Sequence, residues 1–420
     1  MGILLQNYRP EWNNHQPSQL IMRIHLLLTL IISIPYVSLA DWRGFRGTDG
    51  NGLIKGQIPS DLSLNTDNSW KVDLPGRGLS SPIVVGELIF LTASSGPQEE
   101  NLHIIAFNSV DGEKVWERIF RATGRTICHK KTCVAACTMV SDGKVVVAQF
   151  SSNDIFCLDL EGNLKWLRGL TFDYPNIANG LGMSSSPVLC KGVLIAQVEN
   201  DADSFTFGLS LINGTTLWKK ERPKGANWTS PVVLKKGSQE LVGLQSKEGL
   251  SFLKPNTGDT VWNYEDGAST IPSSTISSEN VVLVPSNGLT ALDEPSEGKS
   301  PKQKWRNNKL GPGTGSPAVS GNQVFVINRA NVLTSASINT GEINWRLRIK
   351  GPVSGSPIVT DKLLFVFNEE GLCQVVNIED KGEAKVIREI DLKDTILCTP
   401  AADEGSLFVR SDKNLWKLSN

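Results

Sequence analysis

The sequence predicts an all-β protein: a single eight-bladed β-propeller built from four-stranded antiparallel blades. Tryptophans recur at intervals of 40 to 52 residues, most follow a glycine by four positions, and one strand–turn–strand pattern opens every unit. A period of this length matches a blade of four short strands. An N-terminal strand is predicted to close the ring by pairing with the C-terminal blade.

The tryptophans mark the end of each repeat. They are Trp70, Trp116, Trp166, Trp218, Trp262, Trp305 and Trp345. A large indole at a fixed blade position is well suited to pack between neighbouring blades. We therefore predict a structural role for these tryptophans as a class.

A glycine turn precedes five of these tryptophans. The motifs are DGEKVW, EGNLKW, NGTTLW, TGDTVW and TGEINW, with Gly112, Gly162, Gly214, Gly258 and Gly341 four residues before the Trp. Asp-Gly and Asn-Gly pairs supply the positive φ angles of tight hairpins. Each glycine therefore marks the turn between the third and fourth strands.

Each unit also begins alike, with a short polar start, an apolar strand, a turn and a second apolar strand. Proline follows the serine or threonine in most units, and a proline without an N–H fits the first residue of a strand. The eight starts lie at 80–93, 137–150, 185–198, 229–245, 273–286, 315–328, 355–368 and 398–411.

The two ends of the repeat array predict how the ring closes. The unit at 355–391 lacks a tryptophan, and counting four residues from Gly382 places Val386 at that position. The last unit stops after its third strand. The segment SWKVDL (69–74), with Trp70, can supply the missing fourth strand, which removes exposed sheet edges.

The N-terminal region predicts export. Residues 22–40 combine Arg23, a twelve-residue apolar run and the small residues Ser38 and Ala40, which is typical of a secretory signal peptide. Residues 1–21 are interpreted as a start-site artefact or a disordered stretch, 41–68 as an N-terminal extension, and 69–420 as the propeller. We expect a periplasmic or extracellular monomer with no transmembrane segment after cleavage. The net charge of −1 argues against nucleic acid as a partner.

The Trp-ended units resemble the PQQ-type (quinoprotein) propeller repeat. That repeat is shared by quinoprotein alcohol dehydrogenases and by the outer-membrane lipoprotein of the β-barrel assembly machinery. The mature start DWRGFRGTDGNGL (41–53) and the segments at 151–170, 173–176, 182–187 and 197–205 are similar to secreted PQQ-binding-like propeller proteins of planctomycetes. The resemblance covers nearly all of 41–420 and implies the fold more strongly than a function.

The same resemblance defines what a quinone enzyme would require. Quinoprotein dehydrogenases imply an adjacent Cys-Cys pair, a calcium held by Glu and Asn, a catalytic Asp and a Trp beneath the quinone. No adjacent cysteines occur here; the nearest are Cys133 and Cys137. We therefore expect no bound cofactor, with PQQ and Ca²⁺ as the alternative.

Candidate binding residues lie where the repeat is least regular. The joint between the second and third blades and the hairpin of the third blade carry oxygen-bearing side chains that suit hard cations. The same residues also fit a solvated turn and a structural loop. They are Asp173, Tyr174, Asn176, Asn179, Glu199, Asn200 and Asp203.

A second cluster contains Cys128, His129 and Cys133. These are zinc-ligand types, but the usual C-x₂-C spacing is absent. A disulfide between Cys128 and either Cys133 or Cys137 is the preferred interpretation, since export permits disulfides.

Three functions remain open from the sequence. The favoured one is an exported, non-catalytic scaffold that binds a protein partner or a small ligand on a propeller face. The alternatives are a PQQ- or metal-dependent oxidoreductase and a carbohydrate-active enzyme with paired carboxylates at the channel mouth. Fold alone does not decide between them.

Overall fold

A computed structural model describes residues 41–177, 180–293, 299–379, 383–403 and 405–420, all within one compact unit, Leu39–Asn420. The predictions for the start-site stretch and the signal peptide lie outside the described residues. Asn179, Gly298 and Gly382 also lie outside them.

The regular secondary structure of the described residues is almost entirely β-strand. The first sixteen strands are β1 (Trp70–Asp73), β2 (Ile83–Val85), β3 (Leu88–Ser95), β4 (Asn101–Asn108), β5 (Lys114–Arg121), β6 (Val140–Ser141), β7 (Val145–Gln149), β8 (Asp154–Asp159), β9 (Leu164–Gly169), β10 (Val188–Cys190), β11 (Val193–Val198), β12 (Phe205–Ser210), β13 (Thr216–Glu221), β14 (Val232–Lys236), β15 (Gln239–Ser246) and β16 (Gly249–Leu253).

The second half repeats the pattern. Its strands are β17 (Thr260–Tyr264), β18 (Thr275–Ile276), β19 (Val282–Val284), β20 (Leu289–Asp293), β21 (Lys302–Asn307), β22 (Ala318–Ser320), β23 (Gln323–Ile327), β24 (Val332–Ser337), β25 (Ile343–Arg348), β26 (Ile358–Val359), β27 (Leu363–Phe367), β28 (Leu372–Asn377), β29 (Lys385–Asp391), β30 (Ala401–Asp403), β31 (Ser406–Arg410) and β32 (Asn414–Leu418). A short helix α1 (Leu170–Asp173) and a 3₁₀ turn (Asn308–Leu310) complete the described elements.

These strands form eight four-stranded antiparallel sheets among the described residues, which confirms the predicted eight-bladed propeller. Blade 1 is β2–β5, and blades 2 to 7 follow as consecutive sets of four strands up to β29. Blade 8 has the order β1-β32-β31-β30. The predicted closure is confirmed, because β1 pairs with β32 from Trp70↔Lys417 to Asp73↔Asn414.

The core lies between blades. The three inner strands of each blade are mostly buried, whereas the outermost strand alternates, as in β9 with its single buried residue Trp166. The buried apolar clusters each combine residues of adjacent blades, as Ile155 of blade 2 does with Phe207 of blade 3. An inner strand is covered by neighbours on both faces, which explains its continuous apolar sequence.

In the described part of the chain, five outer-strand tryptophans pack against the glycine turn of the next blade. Gly162 has a φ of +83°, and its backbone lies against the Trp116 indole. The Trp116 Nε1 donates to the Leu160 carbonyl at 2.7 Å. The same contact joins Trp70 to Gly112, which places the tryptophan of the closing strand in the common pattern.

The prediction for Val386 is wrong. In blades 1 to 6 the tryptophan sits on the outer strand beside a register shift, as in Ser335↔Trp345 followed by Ala336↔Ile343. In blade 7 the register is Val375↔Arg388 and then Val376↔Val386, so exposed Arg388 occupies the tryptophan position.

The reason lies in the neighbouring blade. The third and fourth strands of blade 8 come from opposite ends of the chain, so no hairpin turn joins β32 to β1. A tryptophan on β29 would have no glycine turn to cover, which accounts for an exposed arginine at this site.

Candidate functional site

A ring of hydroxyl groups encircles the centre of the propeller. One Ser or Thr stands immediately before the inner strand of each blade, and the described hydrogen bonds link seven successive pairs at 2.9–3.0 Å, the backbone N–H of one blade donating to the hydroxyl of the next. The ring residues are Ser81, Thr138, Ser186, Ser230, Ser273, Ser316, Ser356 and Thr399.

The ring explains the repeated Ser/Thr at the unit starts. Seven of the hydroxyl oxygens each accept from a backbone N–H that has no sheet partner, so these bonds connect successive blades at their inner edge. All eight residues are buried, and their side chains line the central cavity.

One end of this cavity is covered by the segment 41–54, which we call the strap. Its Trp42 pairs with Val84 of blade 1, and its Ile54 amide donates to Val359 of blade 7 at 2.8 Å. Phe45 forms part of the cavity floor.

Arg46 anchors the strap at its midpoint. Its side chain is fully buried and donates to the Thr275 hydroxyl at 2.6 Å and to the carbonyls of Ser274 (2.8 Å) and Pro317 (3.1 Å). These bonds reach blades 5 and 6, so the strap is fixed across the ring and not only at its two ends.

The cavity has a volume of about 510 Å³ and opens on the face formed by the linkers between blades. We call this the linker face. Four apolar side chains, an imidazole and an ammonium group form its mouth: Leu181, Trp228, Ile271, Leu397, His129 and Lys131. Lys131 reaches across the mouth to Glu369 of blade 7, with the Nζ 3.1 Å from a carboxylate oxygen.

Two hydrogen bonds fix Trp228 at the mouth of the cavity. Its Nε1 donates to the Gly182 carbonyl at 3.0 Å, and its backbone N–H donates to Thr270. The preceding residue, Asn227, is buried and donates to Glu199 at 2.9 Å. Asn227 thus connects the cavity mouth to a buried ion pair in blade 3.

That ion pair joins Glu199 and Arg222, whose Nε lies 2.7 Å from the carboxylate, and both side chains are almost completely buried. Burial raises the pKa of Glu199, although the charge and hydrogen bond of Arg222 act in the opposite direction. The pair is a structural support for the linker that carries Trp228.

Comparison with known proteins assigns the fold family. A family model described as outer membrane protein assembly factor BamB matches residues 65–196 and 285–385, more than half of the chain. The chain belongs to the BamB-type family of PQQ-like propellers. The assembly factor BamB of Alkalilimnicola ehrlichii is 28% identical over 188 residues, which are 44% of this chain and 43% of that protein.

Solved structures share the fold of this BamB-type propeller. BamB from Moraxella catarrhalis superposes with a TM-score of 0.61 at 15% identity, covering 84% of this chain and 96% of the other. A europium-containing methanol dehydrogenase gives 0.68 at 12% identity, with 91% and 98% covered. The quinohemoprotein alcohol dehydrogenase of Comamonas testosteroni gives 0.69 at 12% identity, with 90% and 80% covered.

In this BamB-type chain, the described candidate residues of the loop between blades 2 and 3 do not line the cavity. Asp173 is exposed and ion-paired with Arg168. Tyr174 packs on Phe205 with ring centroids 4.5 Å apart. Asn176 is exposed, and Asn179 lies outside the described residues.

The candidate residues on blade 3 also lie outside the cavity lining and bond to other parts of the fold. The Asn200 amide donates to the backbone carbonyl of Asp203 at 2.7 Å and closes its own hairpin turn. Glu199 is occupied by Arg222 and Asn227. The carboxylates of Asp173, Glu199 and Asp203 therefore do not converge at the cavity, as a carbohydrate-active site would require.

The cysteine cluster is likewise dispersed. The seven cysteines are free thiols, so the expected disulfide from Cys128 to Cys133 or Cys137 is not formed. Cys133 is completely buried, and burial raises its pKa to about 12. His129 instead lines the mouth of the cavity. Within the described ranges, no group of three or more His, Cys, Asp or Glu side chains is arranged to hold a metal ion.

The cavity lining does not fit a quinone with calcium. Its described residues contribute hydroxyls, apolar groups, one imidazole, one ammonium and one thiol, but no carboxylate or carboxamide that could ligate Ca²⁺. Of the side chains of the right type nearby, Glu199 and Asn227 are bonded to each other, and Glu369 is bonded to Lys131 and Ser354.

Neither the hydroxyl ring nor the mouth residues Trp228, Ile271 and Leu397 were predicted from the sequence. A signal for the ring was present, since Ser or Thr recurs at the same place in all eight units. No comparable repeat marks the mouth. Separately, no helix in the described part of the chain has the length and hydropathy needed to cross a membrane.

Proposed function

We propose that this chain is an exported scaffold that holds a protein partner at its linker face, with an apolar segment of the partner entering the central cavity. One observation carries the proposal. The cavity is closed by the strap at one end, and at the other it is bordered by apolar side chains that stay exposed, Leu181 at 44% and Ile271 at 36%. Exposed apolar residues around a concave site favour association.

The relatives support a partner-binding role. The family model and the Alkalilimnicola protein both carry the description outer membrane protein assembly factor. A chain of this family that binds a protein would use rigid blades to present its linkers. The hydroxyl groups that line the cavity can donate hydrogen bonds to backbone or side-chain acceptors of the bound segment.

Site-specific photo-crosslinking tests this proposal. A photoreactive amino acid replaces Leu181, Ile271 or, as the control, Ile212, which is 89% exposed in the turn before β13. We expect the same discrete protein adduct from positions 181 and 271 in cells, none from position 212, and loss of the position-181 adduct when Ile271→Glu is added. No adduct, or the same adduct from all three positions, would rule out a partner at the mouth.

We further propose that the cavity binds no PQQ, because its lining offers no calcium ligands. Titrating the purified protein with PQQ and Ca²⁺, while following cofactor absorbance and dye-linked alcohol oxidation, tests this directly. Saturable binding with turnover would replace the scaffold proposal with the oxidoreductase alternative.

A further inference from the structure

Three side chains on blade 1 form a hydrogen-bonded chain away from the central cavity. The Ser95 Oγ lies 2.8 Å from His103 Nε2, and His103 Nδ1 lies 2.7 Å from Glu117 Oε1. The order hydroxyl, imidazole Nε2, imidazole Nδ1, carboxylate is the arrangement that activates a serine nucleophile.

Sheet register brings these residues together. Ala93 on β3 pairs with His103 on β4, and His103 pairs with Ile119 on β5. Ser95 and Glu117 lie two residues from those partners, so all three functional side chains project from the same face of the sheet. Each residue sits on a regular strand, which holds the geometry rigidly.

A nucleophile must be reachable by substrate, whereas its base and carboxylate can be covered, and the exposure of the three side chains has this order. Ser95 is partly accessible at the end of β3, whereas His103 is only 5% exposed and the Glu117 side chain 16%. A partly buried carboxylate beside Nδ1 favours the tautomer that leaves Nε2 free to accept the serine proton.

Glu117 remains ionised in this setting. Desolvation acts to raise its pKa, but hydrogen bonds and charge from Lys114 and His103 outweigh it, and the net pKa is lowered. The Lys114 Nζ lies 2.7 Å from the second carboxylate oxygen. The carboxylate can therefore stabilise an imidazolium on His103.

Two hydrogen-bond donors lie beside Ser95. The amide of Gly96 directly follows it in an exposed turn and donates no hydrogen bond to any group in the described part of the chain. Asn101 is paired across from Ser95, and its Oδ1 accepts from Arg121, which leaves the Nδ2 amide hydrogens for another acceptor. Donors in these positions could stabilise an oxyanion.

We propose that Ser95, His103 and Glu117 form an acyl-transfer site that hydrolyses small carboxylic esters. The Ser95 Oγ bonds to the ester carbonyl carbon while its proton passes to His103 Nε2. The carbon–alkoxy bond then breaks, and the alcohol leaves with that proton. Water, deprotonated by His103, attacks the acyl-Ser95 ester, and Ser95 recovers its proton as the acid departs.

This site is separate from the partner-binding cavity, and neither proposal depends on the other. It departs from the expectation of a non-catalytic scaffold, because it adds an activity that resides on one blade and not in the channel. The purely structural alternative is that the three groups only tie neighbouring strands together. A serine-reactive probe distinguishes these two roles.

The test uses the purified full chain with a fluorescent fluorophosphonate, which forms an Oγ–P bond and releases fluoride only at an activated serine. We expect a single adduct on the peptide containing Ser95, absent in Ser95→Ala and retained in Ser238→Ala, a control serine in an exposed hairpin turn of blade 4. Hydrolysis of p-nitrophenyl acetate should follow the same pattern.

Glu117→Gln gives the decisive comparison, since Gln keeps the size of the side chain but not its charge. We expect labelling and hydrolysis slowed by about a hundred-fold or more, with an unchanged circular dichroism spectrum. No adduct on the wild-type chain, an adduct that persists in Ser95→Ala, or an unchanged rate in Glu117→Gln would each overturn the proposal.

Discussion

Trp116 and Gly162 meet across the boundary between blades 1 and 2 so closely that a Cβ on Gly162 would lie 2.7 Å from the indole. The contact is reinforced by the bond from Trp116 Nε1 to the Leu160 carbonyl. Five tryptophans contact a glycine of the next blade in this way: Trp70, Trp116, Trp166, Trp218 and Trp305. The fold thus depends on a repeated pairing of the largest side chain with the smallest residue.

Gly162→Ala should destabilise the protein by about 2–4 kcal/mol, from the strained φ and the clash with Trp116 combined. Gly86→Ala is the matched control, because its φ of +58° is also positive but no atom lies within 4 Å of the added Cβ. It should lose only about 1 kcal/mol. Urea unfolding measures both, and equal losses would show that the interblade contact contributes little.

Trp116→Ala should lower the free energy of unfolding by about 3–5 kcal/mol, since it empties a site between two blades. Arg388→Ala, at the same blade position but exposed and without a turn to cover, should change it by less than about 0.5 kcal/mol. Chemical denaturation of the two variants separates these outcomes. A large loss in Arg388→Ala would contradict the assignment of Arg388 to the tryptophan position.

Arg46→Met should release the strap. The substitution removes three hydrogen bonds to blades 5 and 6, with an expected cost of about 2–4 kcal/mol. Limited proteolysis should then cut within 41–54 before the propeller unfolds. Arg43→Met, whose side chain is partly exposed and bonded mainly to Asp41, is the control and should resist cleavage like the wild type.

Arg222→Leu should cost about 3–5 kcal/mol near pH 7, because Glu199 is left charged and buried. The folded-state pKa of Glu199 is already raised, and losing Arg222 raises it further. Between the unfolded-state pKa of about 4.3 and the raised folded-state pKa, folding takes up a proton. The variant is therefore most stable below the lower pKa and loses stability as pH rises through the higher one.

Unfolding of Arg222→Leu at pH 5 and pH 8 measures this effect. The double variant Glu199→Gln/Arg222→Leu removes the titrating group and serves as the control. Because it has no titrating group at position 199, its stability should fall less between pH 5 and pH 8 than that of Arg222→Leu. A pH dependence equal to that of Arg222→Leu would show that Glu199 is not the group involved.

Thiol titration tests the free cysteines. Only Cys128 is partly accessible, and burial raises the pKa of Cys398 to about 11 and that of Cys133 to about 12. We expect at most one thiol to react with a disulfide reagent at pH 8 in the native protein, and seven after denaturation without reductant. Five thiols after denaturation would reveal a disulfide.

Much of the architecture could be predicted from the sequence, because it depends on local periodicity. Turn glycines four residues before the tryptophans and the repeated strand pairs defined the blades, and an unpaired strand at each end of the array predicted the closure between β1 and β32. The place of Val386 was misjudged because the paired residues Val375 and Arg388 of blade 7 are 13 positions apart along the chain, whereas Ser335 and Trp345 of blade 6 are 10 apart.

The functional sites could not be predicted in the same way. The cavity mouth joins side chains from linkers 40 to 270 residues apart, such as His129, Trp228 and Leu397. The chain of Ser95, His103 and Glu117 depends on strand register, which places residues 8 and 14 positions apart on one face of a sheet. Irregular loops and oxygen-rich segments favoured Asp173 and Glu199 as binding residues. In the structure they form ion pairs with Arg168 and Arg222.

The sequence by itself determined the eight blades, the turns and the ring closure, since each follows from a repeat whose members interact with near neighbours along the chain. Only the tertiary structure decided which polar groups are satisfied by blade contacts and which face a cavity or solvent. Glu199 is ion-paired with Arg222, whereas the Gly96 amide beside Ser95 has no hydrogen-bond partner among the described residues. Whether two residues far apart in the sequence form a hydrogen bond depends on differences of a few tenths of an ångström in the distance between donor and acceptor. The packing of the blades in the ring sets that distance.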